Sequence, residues 1–240
     1  MHPTIELPIQ GLTQTYPLSP SKIFGVGLNY LDHITEQSMK SVRGFQAEKP
    51  PEPVIFPMTP NILVPHGAPV ILPAFLQQLP FPQLRTDYEA ELAFIVKDTC
   101  KNVPVEEALS HVLGYTCMND ISQRELQNSD TSGWFRGKSL DTFGPVGPVL
   151  VLAEDLPDPQ NLSIRFRLNG KETQASNTRN MIFSVAEILS FLSKNFTLLE
   201  GDLVTTGTPS GVGPIQPGDL MEVEIQGIGT LQNPVHAEAT

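Results

Sequence analysis

Two glutamates stand two residues apart in the run Asp87-Tyr-Glu-Ala-Glu-Leu-Ala-Phe-Ile-Val96. On an extended strand Glu89 and Glu91 share one face with Ala93 and Ile95, while Ala90, Leu92, Phe94 and Val96 line the other. Both faces turn apolar within one residue of Glu91. Carboxylates at the edge of a buried face persist only when paired or bound to a cation, and two of them can converge on one hard metal ion. Alternate acids on a strand are more often a solvated face; the flanking apolar run brings the two readings level. A third acid, Asp120, ends the run Gly114-Tyr-Thr-Cys-Met-Asn-Asp120 ahead of a predicted helix over 122–128, where it can also act as an N-cap.

Other polar residues surround this set. Arg124 and Gln127 lie three apart and so on one face of the same helix. Lys138 is a lone lysine in a turn-rich, apolar stretch, Gly137-Lys138-Ser139-Leu-Asp-Thr-Phe-Gly-Pro-Val-Gly-Pro148, and by itself reads as a surface residue. In Leu203-Val-Thr-Thr-Gly-Thr-Pro-Ser-Gly-Val-Gly-Pro214 a strand meets a Gly/Thr/Pro turn whose amides and hydroxyls suit a carboxylate. No Gly-Lys-Ser/Thr follows, so it is a poor phosphate loop. His33 and Glu36 are neighbours at i, i+3 on a short predicted helix, suited to handling a proton or a water, although a surface pair is the commoner meaning of such spacing.

These residues need elements to hold them. Residues 22–28 read as a strand, with Asn29 as N-cap of a helix over 30–37. Residues 38–52 are polar, without period, and read as a mobile loop. Short strands are expected at 54–56, 62–64 and 70–72, then a longer one at 88–96 and a helix at 105–112 with Glu106 and Glu107 in its first turn. Alternation over 162–168 followed by Asn169-Gly170 predicts a hairpin, since a type I′ turn needs positive φ at both central positions. Val185, Ile188, Leu189 and Leu192 recur at helical spacing and predict a helix over 183–196. Glu200-Gly-Asp-Leu-Val and Pro217-Gly-Asp-Leu-Met each read as a turn feeding a strand. The fold class is α+β, mostly β, a mixed β-roll with a few short helices. There is no βαβ alternation, and Gly25-Val-Gly27 lacks the third glycine and downstream acid of a dinucleotide site.

At 240 residues, with 40% hydrophobic and 17% charged, the chain suits one large core: a lead-in over 1–20 and a single domain over 21–240. Eighteen glycines and 23 prolines are dispersed, not periodic, which favours many short strands. A formal charge of −11 without a basic cluster argues against nucleic acid and anionic lipid as partners. An acidic chain that binds an acidic small molecule needs a locally positive site, and a metal ion supplies one. Cys100 and Cys117 lack metal-ligand spacing to each other and are expected to be free, buried thiols of a reducing compartment. The N-terminus has no signal-peptide pattern and no stretch reaches membrane-spanning length, so a cytoplasmic location is expected.

Taken together and in order, Asn29-Tyr-Leu-Asp-His-Ile-Thr-Glu36, Asp87-Tyr-Glu-Ala-Glu-Leu92, Gly114 to Asp120 with Arg124 and Gln127, Gly137 to Phe143, and Thr206-Gly-Thr-Pro-Ser-Gly-Val-Gly213 resemble the successive motifs of the fumarylacetoacetate hydrolase family over about residues 20 to 235. The resemblance implies that family's β-roll and a homodimer. It implies that Glu89, Glu91 and Asp120 hold Mg²⁺ or Mn²⁺, with Ca²⁺ a further candidate. It implies that Lys138, Arg124 and Gln127 face the oxygens of a small anionic substrate, and that Thr208 helps hold its carboxylate. His33 and Glu36 would activate water on a helix that closes as a lid.

The expected activity is hydrolytic C–C cleavage of an acylpyruvate-like 2,4-dioxo acid through a metal-stabilised enolate. Isomerisation or decarboxylation of a 2-oxo or 2-hydroxydienoic diacid in aromatic degradation, and a silent metal- or carboxylate-binding module, are the alternatives. One departure from the family pattern stands out: Met58, in Pro53-Val-Ile-Phe-Pro-Met58, occupies a position where the family commonly carries lysine. Arg43 and Lys49 are the candidates to replace its charge.

Overall fold

Prolines and glycines cut the chain into short strands, and pairing gathers these into four sheets in a computed structural model that describes residues 4–35, 49–131 and 133–239. In chain order the strands are β1 (Ile5–Pro8), β2 (Thr15–Leu18), β3 (Ile23–Gly27), β4 (Val54–Met58), β5 (Leu63–Pro65), β6 (Val70–Leu72), β7 (Thr86–Tyr88), β8 (Ala90–Val96) and β9 (Val112–Asn119). There follow β10 (Ser122–Gln123), β11 (Gly144–Leu152), β12 (Ser163–Leu168), β13 (Lys171–Asn177), β14 (Leu203–Thr205), β15 (Gly213–Pro214), β16 (Leu220–Ile225) and β17 (Gly229–Ala237). The α-helices are α1 (Leu31–Thr35), α2 (Arg124–Ser129), α3 (Phe135–Lys138) and α4 (Val185–Asn195). The result is the mostly β, mixed-sheet roll that the alternation predicts.

A seven-stranded sheet in the order β4-β3-β14-β8-β9-β11-β5 runs through the molecule, and a five-stranded sheet, β13-β12-β16-β17-β6, lies against it. Strand β8 is buried along its whole length and serves two cores. Leu92, Phe94 and Val96 enter the main cluster with Tyr115, Phe166, Val223 and Leu231. Ala93 and Ile95 enter a smaller cluster on the opposite face with Ile23, Met58 and Met118, to which the β1–β2 hairpin adds Ile5, Leu7 and Leu18. The period of two in this sequence thus reports two apolar environments, not a wet and a dry one.

The Asn169-Gly170 turn has φ of 54° and 76°, the left-handed values that a type I′ hairpin requires, and joins β12 to β13. Helix α4 starts at Ser184 with a capping box to Glu187. Residues 105–111 form a 3₁₀ helix where an α-helix is expected. Asn29 is no N-cap: its amide donates to the carbonyls of Phe183 (3.0 Å) and Thr206 (2.7 Å), and its Oδ1 accepts from Phe183 N–H (2.8 Å). Local sequence cannot reveal partners more than 150 residues away. Glu36, Arg43 and most of the predicted 38–52 loop lie outside the described residues. At the start of the segment expected to act as a lid, Tyr30 and Ile34 are fully buried. No described helix is long and apolar enough to cross a membrane.

Candidate metal centre

The expected long strand breaks at Glu89, between β7 and β8, and the break builds the site. Glu89 N–H donates to Asn119 Oδ1 (2.9 Å), and Asp120 N–H donates to the Glu89 carbonyl (2.9 Å). The β8–β9 ladder sets Ala90 opposite Asn119, so Asp120, the residue just after β9, falls beside Glu89. The oxygens of Glu89, Glu91 and Asp120 come within 4.8 Å of one another, and all three residues are buried. Asp120 does not cap the following helix; Gln123 does, its side chain accepting from Leu126 N–H.

Cations fill part of this acidic pocket. Lys138 Nζ lies 2.7 Å from Glu89 Oε2 and 2.7 Å from Asp120 Oδ2, and 5.2 Å from the centroid of the Phe56 ring. At 2% exposure it is not the surface lysine that its isolation in sequence suggests. Its helix α3 can pack this closely because Gly137 has no Cβ; one there would stand 2.7 Å from Gln127 N and 2.8 Å from the Gln123 carbonyl oxygen. Arg124 reaches Glu89 Oε1 (2.7 Å) and Asp87 Oδ2 (2.8 Å), and donates to Gln127 Oε1 (3.0 Å). Asp87 in turn holds Arg85 at 2.7 Å.

The protonation pattern follows from this geometry. Burial alone would raise Glu89, but Lys138, Arg124 and His33 outweigh it and bring the carboxyl down to about 2. Asp120 moves the other way, to about 6, because burial outweighs Lys138 and Glu89 adds its repulsion. Glu91 is pushed well above the ordinary carboxylate value by burial and then by Asp120 and Glu89; one oxygen accepts from Gly207 N–H at 2.7 Å. Burial would lower Lys138, yet Asp120 and Glu89 hold it above the usual lysine range.

Asp120 Oδ1 is buried with no hydrogen-bond partner among the described residues. An orphaned oxygen beside a carboxylate held up by its neighbours is an arrangement that lacks positive charge. Three hard oxygen donors suit Mg²⁺ or Mn²⁺ in preference to a soft ion, so the residues present fit such a cation.

A cleft above the acids is lined by His33, Gln127, Thr208 and Lys138 on the polar side and by Val26, Leu28, Phe56 and Trp134 on the apolar side. Thr208 Oγ1 accepts from Gln174 Nε2 (2.8 Å), which also donates to the Pro209 carbonyl (2.7 Å), while Gln174 Oε1 accepts from Ala90 N–H (3.0 Å). His33 is 3% exposed, and the Asp32 before it accepts from Ser210 Oγ (3.0 Å), tying α1 to the 206–213 turn. Gly25 and Gly27 have a structural use: a Cβ at either would stand about 2 Å from the Phe56 or the Trp134 ring.

All the predicted site residues among the described residues therefore meet at one place; Glu36 is not among the described residues. Met58 is buried in the smaller core and does not line the cleft; Phe56, two residues earlier, does. Lys49 sits 6.0 Å from the Phe183 ring and is not a lining residue. Sequence reasoning missed Asp87, Gln174, Phe56 and Trp134. Asp87 alone carried a signal, as it continues the i, i+2 spacing of Glu89 and Glu91 backwards.

Residues 22–236 match the family model for the fumarylacetoacetate (FAA) hydrolase C-terminal domain. The structure is similar to fumarylpyruvate hydrolase from Pseudomonas aeruginosa in complex with Mn²⁺ and pyruvate, at 33% identity and a TM-score of 0.83, covering 98% of this chain and 97% of that one. It is also similar to 2-hydroxyhepta-2,4-diene-1,7-dioate isomerase from Mycobacterium marinum, at 38% identity and a TM-score of 0.78, over 95% and 79% of the two chains. In sequence, the mitochondrial oxaloacetate tautomerase fahd2 of Xenopus laevis is 38% identical over 225 residues, 90% of this chain and 66% of that protein.

Proposed function

This chain belongs to the fumarylacetoacetate hydrolase family, and from that premise we propose that it is a divalent-metal-dependent enzyme hydrolysing a C–C bond of an acylpyruvate-like 2,4-dioxo acid. The observation that carries the reading is the buried set Glu89, Glu91 and Asp120 with an unpartnered Asp120 oxygen, beside a protonated Lys138 and under a small cleft lined by His33, Gln127 and Thr208. The similarity to a fumarylpyruvate hydrolase that spans nearly the whole of both chains supports hydrolysis as the reaction.

Glu89, Glu91 and Asp120 would hold Mg²⁺ or Mn²⁺, which when bound supplies a Lewis acid for a chelating 2-oxo acid. Lys138 stays protonated and places a fixed cation beside the oxygen that gains charge as the bond breaks. Arg124, held by Asp87, and Gln127, which accepts from Arg124, orient the substrate's oxygens. Thr208, fixed by Gln174, donates to its carboxylate. His33, paired in sequence with Glu36, takes the proton of the attacking water. Water adds to the distal carbonyl carbon and the bond to the methylene carbon breaks. The methylene carbon then takes up a proton, leaving pyruvate and the carboxylate of the acyl group. The apolar wall of Val26, Leu28, Phe56 and Trp134 receives that acyl group.

Isomerisation or tautomerisation of a 2-oxo diacid is the second reading, favoured by the two other similar proteins. The test is a side-by-side assay of acetylpyruvate, fumarylpyruvate and oxaloacetate with Mg²⁺ and with Mn²⁺. Stoichiometric release of pyruvate and the cognate acid is expected from the first two. Rapid enol–keto conversion of oxaloacetate without pyruvate release from either acylpyruvate would overturn hydrolysis in favour of the second reading.

A further inference from the structure

Strand β8 leaves the carboxylate cage at Glu91 and ends near a second cluster of ligating side chains, roughly 20 Å further along the chain. Asp98 and Cys100 follow the strand, and His111 closes the 3₁₀ helix that leads into β9. Their meeting is set by the backbone. Val96 stands opposite Val112 in the ladder, and Lys97 N–H donates to the His111 carbonyl at 2.8 Å. Cys100 is fixed separately by reciprocal backbone bonds with Leu198, each 3.0 Å. One donor atom from each of Asp98, Cys100 and His111 lies within 4.8 Å of the other two, and His111 Nδ1 is 2.6 Å from Asp98 Oδ1.

We propose that Asp98, Cys100 and His111 form a second metal site, which takes a borderline divalent cation such as Zn²⁺ or Co²⁺. The donor set is sulfur, nitrogen and oxygen, which such ions accept in tetrahedral coordination with the fourth position left to water. The cage uses oxygen alone and favours a harder ion. Cys100 is 6% exposed, and its Sγ has no hydrogen bond among the described residues, so a buried sulfur faces the other two donors without a partner of its own. Asp98 and His111 are about half and a quarter exposed, which leaves a path for the ion. Burial first, and then Asp98 and Asp202, push the Cys100 thiol up, so an ion bound there must displace its proton. The nearby Lys101 turns away, its ammonium donating to the Lys194 carbonyl at 3.1 Å. A bound ion would tie the segment after β8 to the residue that precedes β9.

The test uses the full chain, stripped with a chelator, saturated with Mg²⁺ to fill the cage, and titrated with Co²⁺. A thiolate-to-cobalt charge-transfer absorption saturating at one equivalent is expected; a cage without sulfur cannot produce that signal. It should vanish in Cys100→Ser, and the Co²⁺ affinity should fall about tenfold or more in His111→Gln and in Asp98→Asn. The remaining cysteine, Cys117, is fully buried elsewhere, against the Gly229 carbonyl. No such absorption in the wild-type chain, or its survival in Cys100→Ser, overturns the site. If Cys100→Ser fails to fold, His111→Gln, on the exposed shoulder, decides: wild-type Co²⁺ affinity in that variant overturns the site equally.

Discussion

The centre of the roll and its outer β12–β13 hairpin both join cations to carboxylates, under opposite conditions. On the hairpin Arg165 reaches Glu172 at 3.4 Å with both side chains nearly half exposed. At the centre Lys138 meets Glu89 and Asp120 at 2.7 Å each, and all three are buried. Water solvates the hairpin pair whether or not the two groups touch, so the contact is worth about 0–1 kcal/mol. Lys138 has no water to fall back on, and removing one partner of a buried pair costs about 3–5 kcal/mol. The stability of the centre is therefore coupled to what it binds, whereas that of the hairpin is not.

The sharpest way to break this contrast is Asp120→Ala, which takes from the buried Lys138 one of its two carboxylate partners and leaves it with Glu89 alone. Urea unfolding should show a loss of about 3–5 kcal/mol, activity should disappear, and Mg²⁺ should no longer raise the melting temperature. A loss below about 1 kcal/mol would put the centre on the same footing as the hairpin. Next in size is Glu36→Gln. It should slow C–C cleavage by roughly 10²–10⁴-fold, the range for impaired general acid–base catalysis once His33 loses its partner, and leave any oxaloacetate decarboxylation nearly unchanged, since that reaction needs no water as nucleophile. Equal loss of both reactions would take the water-activating role away from Glu36.

A smaller effect depends on pH. Native Asp120 releases its proton near pH 6, while an unfolded aspartate does so near 4. Between these values the native state binds more protons than the unfolded one, so the metal-free centre gains stability as pH falls through 6 and loses it as pH rises. The slope is of the order of 1 kcal/mol per pH unit. Glu89, lowered to about 2, acts in a separate window: its stabilisation is present above about 4.5 and lost toward 2. Melting temperatures from pH 7 to 5 in chelator, wild type against Asp120→Asn, isolate the first effect, which the variant should lack. Saturating Mg²⁺ should also remove it, because bound carboxylates are already ionised. Smallest of all, Arg165→Ala should shift stability by less than about 0.5 kcal/mol and leave turnover unchanged; a larger shift would show that exposure does not separate the two regions.

The same contrast explains what could be read from the residues alone. Elements whose cause is local were legible: the Asn169-Gly170 hairpin, the capped helix α4 and the strand that alternates around Glu91. The carboxylates Glu89 and Glu91 stood out because an apolar flank makes an acid conspicuous. Lys138 did not, because a single lysine among glycines and prolines looks the same whether it faces water or two buried acids. Asn29 and Asp120 each fit a helix cap by type and position, yet tertiary partners claimed Asn29, and Gln123 supplies the cap after Asp120. The break at Glu89 depends on its pairing with Asn119, thirty residues away, and no window of a few residues contains that pairing.

Trp134 is the single tryptophan in the sequence, and it stands in the wall of the cleft, with its ring 5.5 Å from that of Phe56 and packed against Gly27. Indole emission responds to the polarity and charge around the ring, so the intrinsic fluorescence of the whole protein comes from beside the site. Filling the cleft, or loading and stripping the cage, should change its colour and intensity without any added label. The molecule thus carries its own optical gauge of occupancy, one that events at the distant Asp98–Cys100–His111 cluster should leave almost undisturbed.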